Sequence, residues 1–435
     1  MYKASIFTLG CRVNQYESDA IEAQLKESGF EIVPFGTKSD VVIINTCTVT
    51  AESDRKSRQH IRRAIASSPD AVVIATGCFA HVSPDEAKAI EGVSAVVDND
   101  NKRYISEIAK NAVCGGAIYD EYEKLNTSGN TSELTISRAK RARCHIKVED
   151  GCTKKCAYCI IPAARGVVRS KAPETVLAEA KEIVKNGCGE LILTGIETAS
   201  YGVDLGNYDL TDLLRDIDNI EGVKRIGVSS LDPSVMKEAF VKKLADIKHL
   251  LPHFHLSVQT GCTKTLNRMR RRYTAEKVAE NMEYVRKYIP DATFSADVIV
   301  GFPGESDEDF SETVEFFKKA RFMHLHIFPY SVREGTEAAT MPDQIPDKIK
   351  KERAALLLNV QNEIKAEILD KYIEDHKNDP VYVLGEKWEN GITNGHTEHF
   401  IECDIETDFD GTGKILPVVL RSRDGFVLKG EIYNA

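Results

Sequence analysis

Long apolar runs are missing from this 435-residue chain. The longest aliphatic stretches, such as Val41-Val42-Ile43-Ile44, fall far short of the ~20 residues that a bilayer span needs. The opening Met-Tyr-Lys-Ala-Ser-Ile-Phe lacks the apolar stretch of a signal peptide. The expected location is therefore the cytoplasm, with no membrane partner. Internal repeats and low-complexity tracts are also absent. At 42% hydrophobic and 29% charged residues, the composition excludes a disordered chain, a collagen or a coiled coil. The length predicts two to four domains at about 100–200 residues each. A net charge of −10 argues against indiscriminate nucleic-acid binding. It leaves room for two local basic patches, at 138–143 and 268–272.

What the chain does have is cysteine: eleven residues. In a reducing compartment, clustered cysteines read as metal-binding or catalytic rather than as disulfides. The tightest cluster is Cys152-Thr-Lys-Lys-Cys156-Ala-Tyr-Cys159. Three thiolates within eight residues can wrap three irons of a cubane and leave the fourth open. A zinc site is the alternative, with Cys144 or His145 as fourth ligand. The second set is distributed. Cys11, Cys47 and Cys78 each follow an apolar run that reads as a strand: 4–9, 41–44 and 71–75. In a parallel sheet, the carboxyl ends of strands share one edge, where ligands bind. Gly10 and Gly77 would let the backbone turn tightly there. Cys114, Cys144, Cys188, Cys262 and Cys403 read as structural thiols.

The βαβ alternation of the first third predicts a parallel sheet covered by helices, with helices near 18–28, 52–66 and after Pro84, and a fourth strand at 93–97. A polar stretch at 121–137 reads as a linker. Six further strands are expected at 145–148, 190–194, 225–229, 254–258, 294–300 and 324–328, separated by helices. That count fits a partial, open (βα)6 barrel. One long helix at 346–376 precedes short strands at 381–384, 399–405, 414–420 and 426–432, which predict a small β-barrel. The fold class is thus α/β with a terminal β-barrel. Domains are expected at 1–120, 138–370 and 371–435.

CxxxCxxC with an aromatic residue, here Tyr158, before the last cysteine resembles the radical SAM enzymes. With the strand-end cysteines, Thr8-Leu-Gly-Cys-Arg-Val-Asn-Gln-Tyr-Glu-Ser18, Leu193-Thr-Gly195 and Asp297-Val-Ile-Val-Gly-Phe-Pro-Gly-Glu305, nearly the whole chain resembles the radical SAM methylthiotransferases, and among them the MtaB branch. The resemblance implies two 4Fe-4S clusters, an auxiliary one on Cys11, Cys47 and Cys78 and a radical SAM cluster on Cys152, Cys156 and Cys159. It implies S-adenosylmethionine as cofactor, near Tyr158, Gly195, Glu197, Gln259 and Gly301. The terminal barrel would be TRAM-like and bind RNA. The implied reaction adds a methylthio group to C2 of N6-threonylcarbamoyladenosine at position 37 of tRNA. The implied partners are the tRNA anticodon loop, an electron donor such as flavodoxin or ferredoxin, and a sulfur source. Alternative readings are N6-isopentenyladenosine tRNA, a ribosomal protein, or a non-catalytic RNA-binding iron–sulfur protein. The segment from Tyr372 holds 13 acidic and 6 basic residues, a weak charge for RNA. The substrate grip is therefore expected from 138–143, Arg165, Arg169, Lys171 and 268–272. Arg421, Arg423, Lys429, Trp388 and Phe400 would make at most a small contact face.

Overall fold

The computed structural model describes residues 1–116 and 134–433. The part of the expected linker at 121–133 lies outside the described residues. Two compact units emerge: residues 1–137, 149–171 and 332–336 form the first, and 138–148, 172–331 and 337–435 the second.

The first unit is built on a parallel sheet. Its strands are β1 (Lys3–Thr8), β2 (Glu31–Ile32), β3 (Val41–Thr46), β4 (Val72–Gly77) and β5 (Ala95–Val97), in the order β2-β1-β3-β4-β5. Helices cover both faces, which explains why β3 is apolar at successive positions rather than alternating. Val41, Ile43 and Ile74 pack with Ile21, Leu25 and Ile105 on one side. Val42, Ile44 and Val73 pack with Ile61, Ala64 and Phe79 on the other. The short edge strand β2 was not foreseen. The first helix runs over Arg12–Glu27, six residues earlier than expected. Its first two turns bury Asn14, Glu17 and Ser18, so polar residues occupy positions where periodicity looks for apolar ones. Short strands β7 (Glu149–Asp150) and β8 (Arg169–Ser170) pair around the CxxxCxxC loop.

The second unit holds the six expected strands: β6 (Cys144–Lys147), β9 (Glu190–Thr194), β10 (Arg225–Val228), β11 (His253–Gln259), β12 (Thr293–Val300) and β13 (His324–Pro329). They form two three-stranded parallel sheets, β10-β9-β6 and β11-β12-β13. Parallel bridges Ile226–Leu250 and Leu231–Leu256 join the two sheets. Helices such as Pro173–Lys185, Ala275–Tyr288 and Asp307–Ala320 connect the strands. His253 and His255 bond Ser295 in the neighbouring strand, as befits barrel residues. The long helix Asp347–Asp375 then leads into a closed barrel. Its strands are β14 (Val381–Glu389), β15 (Ile392–Thr397), β16 (Glu402–Glu406), β17 (Ile415–Asp424) and β18 (Val427–Ile432), in the order β14-β15-β16-β18-β17. The sequence reading foresaw four of these strands. It missed β15, whose Asn394, Gly395 and His396 mask the strand pattern.

Candidate cysteine-rich site

Strands β1, β3 and β4 each end just before a cysteine, and the parallel register puts those ends on one sheet edge. Cys11 is the N-cap of helix Arg12–Glu27, Cys47 follows β3, and Cys78 opens a short helix to Val82. Gly10 and Gly77 take the expected left-handed conformation, φ +99° and +92°. At Gly10 a side chain is also sterically barred, since a Cβ would stand 2.9 Å from both Cβ and Sγ of Cys47. Cys47 and Cys78 are buried, whereas Cys11 exposes surface. Desolvation by surrounding protein nonetheless pushes the Cys11 thiol up, with Arg165 opposing it and the Cys78 charge adding to the rise. Desolvation likewise raises Cys47, opposed by the Val49 backbone and reinforced by Cys78 and Cys11.

Cys152, Cys156 and Cys159 are half-buried on a loop of the same unit. The Cys152 amide donates to Gly166 O at 3.0 Å, the Cys159 amide to Cys156 O at 3.1 Å, and the Lys154 amide to Cys152 Sγ at 3.4 Å. Among the described residues, no three His, Cys, Asp or Glu side chains are drawn together to hold a single metal ion. A four-iron cluster spreads its thiolates over the corners of a cube, farther apart than the ligands of one ion. The donor chemistry, three thiols per set, and the cradle kept open at Gly10 fit a cluster of that kind.

Beneath the strand-end cysteines lies a polar network that the sequence reading missed. Arg165, with no side-chain exposure, donates to Glu17, to Asp150 Oδ2 at 3.1 Å and to Asn14 Oδ1. Its Nε donates to Cys78 Sγ at 3.3 Å. Burial works against its charge, but Asp150, Cys78 and Glu17 hold it firmly protonated, well above the ordinary value. Lys102, equally buried, pairs with Glu17 and donates to Asn45 Oδ1 at 3.1 Å. Asn14 Nδ2 ties Leu9 O (2.7 Å) to Thr46 O (2.9 Å), bracing the ends of β1 and β3. The signal was present in the Asn14, Glu17, Ser18 spacing, which puts three polar groups on one helix face.

The other cofactor-contact candidates sit as follows. Tyr158 is half-buried in the CxxxCxxC loop. In the second unit, Gly195 follows β9, half-buried. Glu197 is buried and accepts the Asp232 amide at 3.3 Å. Gln259 ends β11 with φ 72°, unusual for a residue with a side chain. Gly301 has φ 71°, and its amide donates to Glu305 Oε1 at 2.9 Å.

Part of the expected RNA grip is corrected by burial, while Arg138, Lys140, Arg141, Arg270 and Arg272 stay exposed. Arg165 is wholly internal, and Lys171 is buried, donating to Tyr16 Oη (2.8 Å) and Leu134 O (2.9 Å). Arg169 pairs with Asp100 and Asp150. Arg143 pairs with Glu190 and Glu386, and Arg271 is buried against Asp232. On the terminal barrel, Arg421, Arg423 and Lys429 pair with Glu431, Asp370 and Asp404. Phe400 stacks on His253, leaving Trp388 as the exposed aromatic of that set. Sequence alone shows cations, not the carboxylates that claim them. Among the other thiols, Cys144, Cys188, Cys262 and Cys403 are buried and Cys114 is exposed.

The radical SAM superfamily description matches residues 146–317, and that of uncharacterized protein family UPF0004 matches residues 3–98. The threonylcarbamoyladenosine tRNA methylthiotransferase MtaB of Bacillus subtilis is 38% identical over 433 residues, covering 96% of this chain and 93% of its own. The tRNA-2-methylthio-N(6)-dimethylallyladenosine synthase of Pelotomaculum thermopropionicum is 31% identical over 428 residues, 97% of this chain and 95% of its own. In fold, the chain is similar to the radical S-adenosylmethionine methyltransferase TsrM from Kitasatospora setae. That match has a TM-score of 0.57 at 15% identity and covers 78% of this chain and 77% of that one. No helix among the described residues is long and apolar enough to cross a membrane.

Proposed function

We propose, from the premise that the chain belongs to the methylthiotransferase family of radical SAM enzymes, that it adds a methylthio group to C2 of N6-threonylcarbamoyladenosine at position 37 of tRNA. The observation that carries the reaction is the gathering of two cysteine triads in one compact unit, one of them on a single sheet edge. The substrate rests on the near full-length likeness to the Bacillus subtilis protein of that name.

In this reading Cys11, Cys47 and Cys78 hold an auxiliary four-iron cluster, and Cys152, Cys156 and Cys159 hold a second. When bound, the clusters and S-adenosylmethionine supply the sulfur-carrying and radical chemistry, fed by an outside sulfur source and an electron donor. The chain's own part is positional. Gly10 keeps a side chain out of the space beside Cys47. Asn14 fixes the ends of two cysteine-bearing strands relative to each other. Arg165 donates from Nε to Cys78 Sγ and so holds that sulfur in place at the sheet edge. Tyr158, Gly195, Glu197, Gln259 and Gly301 are the groups proposed to meet S-adenosylmethionine.

The test is mass spectrometry of tRNA nucleosides from a host lacking the activity, with and without the gene. Appearance of 2-methylthio-N6-threonylcarbamoyladenosine is the expected result. The Pelotomaculum relative favours one second reading, the dimethylallyl nucleoside. Its methylthiolation alone would keep the reaction and change the substrate. If neither product appears with both clusters loaded, the tRNA reading fails.

A further inference from the structure

With Arg165, Lys171 and Arg271 of the expected grip buried, a basic surface elsewhere on the first unit stands out. Helix Ala51–Ser67 buries Asp54, Ser57, Ile61 and Ala64, a stripe spaced three, four and three residues. The opposite face carries Arg55, Lys56, Gln59, Arg62, Arg63 and Ala66, all exposed. Four of these six are cations. The exposed carboxylate near them, Glu52, is shared by Arg55 at 2.6 Å and Lys56 at 3.8 Å. Arg58, at the edge of the face, pairs with Glu86 at 2.8 Å. Arg62 and Arg63 have no carboxylate partner within ion-pair distance among the described residues. On a chain of net charge −10, such a face is a local inversion of sign.

The helix is also tied to the candidate site. Ser57 Oγ accepts the Cys47 amide at 3.2 Å and donates to Cys47 O at 3.0 Å. Thr48 Oγ1 donates to Asp54 Oδ1 at 2.7 Å, and Arg333 binds both Thr48 and Asp54. The buried stripe is therefore locked onto the segment that carries Cys47, and the basic face keeps a fixed distance from it. Seven residues separate Lys56 from Arg63, about 10 Å along a helix axis, so the face can meet more than one phosphate of a strand. Beside it lies an open pocket of about 460 Å3 lined by Arg58, Arg62, Glu86, Ala89, Ile90 and Glu91. That mix of guanidinium, carboxylate and apolar surface suits a nucleoside better than a bare anion.

We propose that the exposed face of helix Ala51–Ser67 is an RNA-docking surface, at which Lys56, Arg62 and Arg63 neutralise backbone phosphates and register the RNA against Cys47. The proposal rests on the tRNA reading above and names the surface that serves it.

The experiment uses the full-length, cluster-loaded protein under anaerobic conditions, with a tRNA carrying N6-threonylcarbamoyladenosine. Binding is measured across a salt series for the wild type, for the triple variant Lys56→Glu, Arg62→Glu and Arg63→Glu, and for a milder Arg62→Gln, Arg63→Gln variant. A Lys318→Glu, Lys319→Glu, Lys348→Glu variant, on helices Asp307–Ala320 and Asp347–Asp375, makes the same change of net charge elsewhere. The triple variant is expected to bind at least about tenfold more weakly. The slope of log K against log salt should flatten by about 2 to 3, one phosphate contact per lost cation. The Gln variant should flatten it by about 1 to 2, with iron content and thermal melting unchanged in both. Wild-type affinity and slope in the Gln variant, or an equal loss in the control, would overturn the docking face while leaving the tRNA reading intact. Failure of the wild type to bind any tRNA would remove the tRNA reading, and the docking face with it.

Discussion

Replacing Arg165 with Gln is the sharpest test of the network under the strand-end cysteines. The guanidinium has no exposed side-chain surface and faces Glu17, Asp150, Asn14 and Cys78 at once. In the wild type the buried charges balance, Arg165 and Lys102 against Glu17 and Asp150. Gln leaves Glu17 with Lys102 alone, and Asp150 with the half-exposed Arg169 at 3.8 Å. Removing one partner of a buried pair costs about 3–5 kcal/mol, because the remaining charge is left desolvated and uncompensated. The loss should be local to the first unit, since every partner lies there. Trp388, the single tryptophan, sits on β14 of the second unit, so its fluorescence will not report the change. Hydrogen exchange on helix Arg12–Glu27 will, through faster opening of its amides. Glu17→Gln combined with Arg165→Gln should cost less than the two singles summed, the mark of a direct pair. Arg165→Lys should recover part of the loss, because it restores charge without the planar fork. An Arg165→Gln protein within about 1 kcal/mol of wild type, with unchanged exchange in that helix, would refute the buried-pair account.

Three further outcomes are expected. Cys11→Ala should lower iron from about eight per chain to about four and abolish methylthiolated product. Turnover by that variant would sink the two-cluster scheme. Gly10→Ala should lose the same irons while keeping all six cysteines, because its Cβ would stand 2.9 Å from Cys47 Sγ at a φ of +99°. Full iron loading in Gly10→Ala would show that the cradle is not needed. In the terminal barrel, desolvation, with His376 and Arg225 adding, pulls His399 down to about 4. The unfolded chain, with an ordinary histidine near 6.5, then binds more protons between those two values. Stability is full above about pH 6.5 and falls toward pH 4, by up to about 3 kcal/mol. Trp388 fluorescence melts at pH 7.5 and 5 should show the drop, and His399→Gln should lessen it.

The placement of Cys11, Cys47 and Cys78 at the ends of parallel strands was legible because each follows an apolar run. A CxxxCxxC run needs no fold to be noticed. The supporting residues were not legible for the converse reason. Asn14, Glu17, Asn45 and Lys102 are polar residues in core positions, and patterning assigns polar residues to the surface. The same rule hid the first two turns of helix Arg12–Glu27 and the strand Ile392–Thr397.

Charge was the least legible property, and the reason is geometric. Arg165 and Arg62 are the same residue type, yet one is sealed in a four-partner network and the other stands on an open helix face. A count of cations favours 268–272, where Arg271 proves to be claimed by Asp232. The more telling measure is cation position against the period of the element that carries it. In helix Ala51–Ser67 the stripe Asp54, Ser57, Ile61, Ala64 faces inward, so Arg55, Lys56, Arg62 and Arg63 must face out. That orientation follows from 3.6-residue periodicity once Ile61 and Ala64 are recognised as core. The face that could meet RNA was therefore encoded in the spacing of its neighbours, not in the density of its own charge.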